Sequence, residues 1–265
     1  MKKILIFLII LSNLTFGTQN FSANSKVLDK IEAEVVKELD RGNNEKAISI
    51  LKKSILENPE KSVFLKIVLG MIYIDMERNS EAEKEFNEAV ELQKKYPFFD
   101  ENGKKQDVKL IIGSIYFGAE DTKNALKWLK QVDDKDFNEI LDNQKGLKDY
   151  ILGILNYKED NIEEAKKNLL KSYIYDEDGL SENILGQIYI DEGNQKEAQK
   201  WFLKSSDKGN SGAQANLGSL YYELNDKKES LKWLEKAYET ARKDKDTEKM
   251  EEIKEMIKDV KDSQE

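Results

Sequence analysis

An all-α fold of antiparallel helical hairpins, stacked into a superhelical solenoid and closed by a C-terminal capping helix, is predicted by three observations. A leucine or isoleucine, then glycine, then tyrosine three residues on recurs as Leu69-Gly70 with Tyr73, Ile112-Gly113 with Tyr116, Leu185-Gly186 with Tyr189 and Leu217-Gly218 with Tyr221. A small residue stands twelve positions after each glycine, as Ala82, Ala125, Ala198 and Ser230, and Ala165 does so after Gly153. Two prolines in 265 residues, with 36% charged and 39% hydrophobic residues, suit helix throughout.

The N-terminus differs from the rest. Lys2 and Lys3 precede an apolar run from Ile4 to Leu11, and Thr15 and Gly17 are small at the two positions a signal peptidase inspects. Residues 1–17 are therefore read as a cleaved secretory leader and 18–25 as a short linker. The apolar run is far shorter than the roughly 20 residues a spanning helix needs. With no cysteine there is neither a lipid-anchor site nor a disulfide, so an exported chain must be held by packing. Loss of the leader removes two lysines and no acid, which takes the net charge from −9 to −11. That balance argues against a nucleic-acid partner, and nothing after the leader approaches a membrane span.

From Ser25 onward, Val27, Leu28, Ile31, Val35 and Leu39 fall at helical spacing up to Arg41-Gly42-Asn43-Asn44. A second helix carries Ala47, Ile50, Leu51 and Ile55 inward and stops at Asn58-Pro59. The next hairpin adds Phe86 and Ala89. Later ones follow the same frame with Leu129, Leu169, Phe202 and Leu234 four residues after the small position. Ser80, Asn161, Asn194 and Asp226, each with a glutamate three residues on, read as capping boxes at the starts of second helices.

The pattern resembles the tetratricopeptide repeat family, in which Leu-Gly-x-x-Tyr lies on the first helix and Ala-x3-Phe-x2-Ala on the second. The last two copies also resemble Sel-like repeats, through Ala198-Gln-Lys-Trp-Phe, Ser206-Asp-Lys-Gly209 and Ala213-Gln-Ala-Asn-Leu-Gly218. The resemblance covers residues 26–242 as about six hairpins, with 243–265 as capping helix and tail. The capping helix carries the stripe Met250, Ile253, Met256, Ile257 and Val260.

From Ala47 to Ser230 the small position recurs at steps of 35, 43, 40, 33 and 32 residues, against a family period near ~34. Two inserts account for the long steps. One is a loop at Tyr96-Pro-Phe-Phe-Asp-Glu-Asn-Gly-Lys-Lys105. The other runs from Asp133 to Asn143, where Phe137, Ile140 and Leu141 imply one extra helical turn. Copy four has Asn156 at the tyrosine position, and copy one has Val35 at the glycine.

With no histidine and no cysteine, the commonest general base, transition-metal ligands and thiol nucleophile are all missing. Neither a phosphate loop nor a nucleophile elbow is present. No catalytic residue, cofactor or metal is expected; a carboxylate-dependent, glycan-processing enzyme of the cell envelope is the alternative from another class.

The resemblance implies a protein or peptide partner held on a concave face of first helices. Offsets from each glycine place Ile67, Met71 and Ile74, Leu110 and Phe117, Tyr150, Ile154 and Tyr157, Gln187, and Tyr222 on that face. An extended or helical segment with apolar anchors is the expected ligand, and burial in a tightly wound superhelix is the competing role for the same side chains. Trp128, Trp201 and Trp233, three residues after the small position, read as packing residues. Aromatic residues at 96–99 have no repeat position to fill, so they read as a docking or groove-edge element.

Overall fold

The computed structural model describes residues 22–99, 105–140 and 145–263, without the side chains of 22–26 and 138–140. The leader, residues 18–21, the loop tip at 100–104 and residues 141–143 of the second insert lie outside the described residues. The described chain is helical apart from turns, a short 3-10 turn at Pro59–Lys61 and a single antiparallel bridge between Phe99 and Lys105. The described residues fall into two compact units, one within 1–143 and one within 144–265. None of the helices among the described residues is long and apolar enough to cross a membrane.

The first unit holds α1 (Ser22–Asp40), α2 (Asn44–Glu57), α3 (Ser62–Asp75), α4 (Asn79–Leu92), α5 (Val108–Gly118), α6 (Thr122–Leu129) and α7 (Asp134–Ile140). Hairpins form from α1 with α2, α3 with α4 and α5 with α6. Among the described residues the first helix runs from Ser22. The second insert is a seven-residue helix, longer than one turn, and its Phe137 is fully buried.

The second unit holds α8 (Leu147–Lys158), α9 (Ile162–Ser172), α10 (Leu180–Asp191), α11 (Gln195–Asp207), α12 (Ser211–Glu223), α13 (Lys227–Asp244) and α14 (Thr247–Asp262). These pair as α8 with α9, α10 with α11 and α12 with α13. Against α13, α14 buries Ile253 and Val260 beside Leu234, Ala237 and Ala241, with Met250, Met256 and Ile257 at the margin. An apolar stripe on one side of a charged helix closes the unit in this way.

Each hairpin turn has the same construction. A residue with left-handed backbone ends the first helix: Gly42, Glu77, Glu120, Asp160, Gly193 or Asn225. The next residue sends its N–H back to a carbonyl five positions earlier, as Arg78 to Tyr73 at 2.8 Å, Asp121 to Tyr116 at 2.9 Å and Asn194 to Tyr189 at 2.8 Å. This is the Schellman closure, which satisfies carbonyls the helix end would leave bare. The residue that closes one helix then caps the following one. Asn194 and Asp226 accept from the N–H of Glu197 and Glu229, as their sequence pattern predicts.

Two expected caps differ. Ser80 lies inside α4, whose N-cap is Arg78, because the closure after Glu77 starts the helix earlier; Asn161 occupies the N-cap of α9 but makes no side-chain cap bond. Asp107, Asp121, Asn210 and Asp246 supply side-chain caps that the four-residue pattern did not single out.

Within hairpins, Ala47, Ala82, Ala125, Ala165, Ala198 and Ser230 have no exposed surface. The glycines serve the residue four beyond. A Cβ on Gly113, Gly153 or Gly218 would come within 2.6 to 2.7 Å of Leu129, Leu169 or Leu234, and one on Gly70 would enter the Phe86 ring. Glycine on one helix is thus a socket for a large side chain on its partner. Backbone approach is a secondary effect.

Candidate functional site

First helices of the second unit lie side by side and parallel. Tyr157 at the end of α8 donates its hydroxyl to Asp191 at the end of α10, and Asn216 near the start of α12 donates to Asn183 near the start of α10 at 2.9 Å. Gln187 donates to the other oxygen of Asp191 at 3.1 Å, so this carboxylate is held by two neutral groups. Burial, and then the bond to Asp191, push the Tyr157 hydroxyl far above its ordinary range, so it stays a donor.

Across these helices Tyr150, Ile154, Tyr157, Gln187 and Ile190 are half-buried, and Tyr222 is exposed. Tyr150 packs with Tyr157 on the core formed by Ala165, Leu169, Leu185 and Ile188, and burial followed by nearby Asp176 raises its pKa. The face is therefore fixed at its base and open at its tips. Its chemistry is apolar, aromatic and amide.

In the first unit, the predicted row divides. Ile67, Met71 and Leu110 are buried, with Ile67 wholly inaccessible. Ile74 is half-buried and Phe117 is 48% exposed. The residues of that row open to solvent in this unit are thus Ile74 and Phe117, at the C-terminal ends of α3 and α5.

The tryptophans pack inside their units. Trp128 is buried edge-on to Phe86, Trp201 is buried edge-on to Tyr173, and Trp233 borders the cluster of Ala198, Phe202, Ala213 and Leu217. In the aromatic insert, Phe98 accepts from the N–H of Gln106 at 2.8 Å and Phe99 is 41% exposed. Beside it a cavity of about 220 Å³ is lined by Gln93, Lys94, Pro97, Lys105, Gln106, Asp107 and Asp136. Among the described residues no cluster of acids could hold a metal ion.

The tetratricopeptide repeat family model matches residues 66–96, 183–207 and 211–244. Those three segments are similar to tetratricopeptide repeats. No curated protein matches this sequence. Among solved structures, the chain is similar to YrrB, described as a TPR protein with an unusual peptide-binding site, at 20% identity and a TM-score of 0.45, over 77% of this chain and 97% of that one. It is similar to PilW, a type IV pilus biogenesis factor, at 12% identity and a TM-score of 0.45, over 86% and 98%. It is also similar to the TPR2AB domain of yeast Sti1 in complex with pHSP90, at 15% identity and a TM-score of 0.40, over 89% and 99%.

Set on the tetratricopeptide frame, one row escaped the sequence reading. The repeat motif has tryptophan four residues before the glycine; here that position holds Lys66, Lys109, Asp149, Glu182 and Gln214. Four of these reach into their own hairpin. Lys66 bonds Glu85 and Glu88 at 2.6 Å, Lys109 donates to the Gln131 carbonyl at 2.7 Å, Asp149 lies 3.7 Å from Lys171, and Glu182 pairs with Lys208. The charge is basic in the first unit and acidic in the second. Glu182 and Gln214 are buried, each with one side-chain oxygen lacking a partner. A polar residue at the motif's aromatic position was the signal available beforehand.

Proposed function

We propose that this chain is an exported scaffold, without catalytic chemistry of its own, that holds a protein or peptide partner on the first-helix face of its tetratricopeptide repeats. The observation that carries this reading is the open row Tyr157, Ile190 and Tyr222 on α8, α10 and α12. A rigid base carrying a half-buried and an exposed tyrosine is a low-entropy anchor for an extended or helical segment. Export rests on the leader pattern of residues 1–17, and it leaves the chain periplasmic or secreted. The Sel-like character of residues 198–218 belongs to the same reading.

Capture of partners from the native compartment by Phe117→Ala and Tyr157→Ala chains tests it. Loss of a specific partner with unchanged melting supports the face. A lowered melting temperature with intact capture assigns these side chains to packing and removes the proposal. Secretion of a reporter fused behind residues 1–17 tests the export half, and retention of the reporter inside the cell contradicts it.

A further inference from the structure

We propose that the partner segment held by the second unit is basic, with lysine or arginine placed beside its apolar anchors; this rests on the reading of the first-helix face given above. Tyr157, Ile190 and Tyr222 occupy one register, so they line a single rim where three parallel helices end. The turns that follow, residues 158–161, 191–194 and 223–226, hold six carboxylates and one basic residue, Lys158.

Most of that charge is uncompensated by cations. Asp191 is held by Tyr157 and Gln187, Glu223 accepts from Gln195, and Asp226 caps the N–H of Glu229. Among the described residues, no lysine or arginine forms an ion pair with Asp160, Asp191, Glu223 or Asp226, and Lys166 divides its charge between Glu192 and Glu163. An apolar line bordered by fixed negative potential selects a segment with apolar anchors and a cationic flank, and it disfavours an acidic one.

The test uses the full chain and two fluorescent peptides, one with several leucines each followed by lysine, the other with glutamate replacing every lysine. The lysine peptide should bind at least roughly tenfold more tightly at low salt, and the preference should shrink as salt rises. Asp191→Asn with Glu223→Gln should weaken it roughly fivefold without changing melting, the scale of two exposed pairs. Glu235→Gln with Glu255→Gln, on α13 and α14, should leave it unchanged.

Equal binding of both peptides, preference for glutamate, or equal loss in both double variants overturns the inference. If both peptides bind equally and Tyr157→Ala with Tyr222→Ala abolishes both, the face stands and only its charge preference falls. Binding of neither peptide counts against both.

Discussion

Gly186 is the socket for Phe202: a Cβ on the glycine would lie 2.5 Å from ring carbons Cδ1 and Cε1. Phe202 is buried on all sides, so it has nowhere to withdraw. Gly186→Ala should therefore destabilise the second unit by about 1 to 3 kcal/mol, the ordinary cost of overpacking. Adding Phe202→Leu should not restore it, because copies with leucine leave as little room at Gly153 and Gly218. Denaturant titration of the single and double variants checks this.

The left-handed turn residues allow opposite substitutions at equivalent places. Glu77 and Lys245 adopt φ near +58° and +59°, which costs an L side chain about 1 kcal/mol, whereas Gly193 adopts +74° at no such cost. Glu77→Gly and Lys245→Gly should each stabilise by about 0.5 to 1 kcal/mol. Gly193→Ala should cost a similar amount through backbone strain alone, since nothing lies within 4 Å of its added Cβ. Thermal melts of the three variants, read for sign, decide it.

Lys66 ties α3 to α4 through Glu85 and Glu88, and Glu85 is itself buried. Lys66→Met should cost about 3 kcal/mol, because a carboxylate is left in the interior without its cation. Lys66→Met with Glu85→Leu should recover most of that loss. Urea unfolding of the pair, analysed as a double-mutant cycle, should show strong coupling.

Tyr116 is 2% exposed on α5, and burial, followed by Asp121 and Glu83, raises its hydroxyl pKa from 10.0 to about 12. The folded state thus keeps a proton that the unfolded chain loses first. The stabilisation is fully present below pH 10 and is lost as pH rises from about 10 to about 12. Tyr116→Phe should flatten that part of the stability curve, measured by unfolding at successive alkaline pH values.

Glycine, alanine and large apolar positions were legible because each acts within one hairpin at a fixed offset. Gly186, Ala198 and Phe202 need only each other to be understood. The turn residues were partly legible: Gly42 and Gly193 mark left-handed backbone, but Glu77, Glu120 and Lys245 have the same closure imposed on ordinary helix formers.

Site residues were harder because their exposure depends on neighbouring packing, beyond the reach of a single-repeat offset. Ile67 and Tyr150 share one offset, and Met71 and Ile154 share another, yet the first of each pair is buried and the second half-exposed. The paired charges at Lys66 and Glu182 were hidden for another reason. In a chain so rich in lysine and glutamate, a charge at a core position looks like any solvated one.

Site-specific photocrosslinking tests the central claim most directly. A photoreactive residue at Tyr222 and a control at Glu235 on α13, each in the full chain expressed with its leader, should be irradiated in living cells. The account predicts a discrete protein adduct at Tyr222, absent at Glu235 and lost when Tyr157→Ala is added. Adducts that are equal at both positions, or confined to Glu235, would contradict a binding face on the first helices.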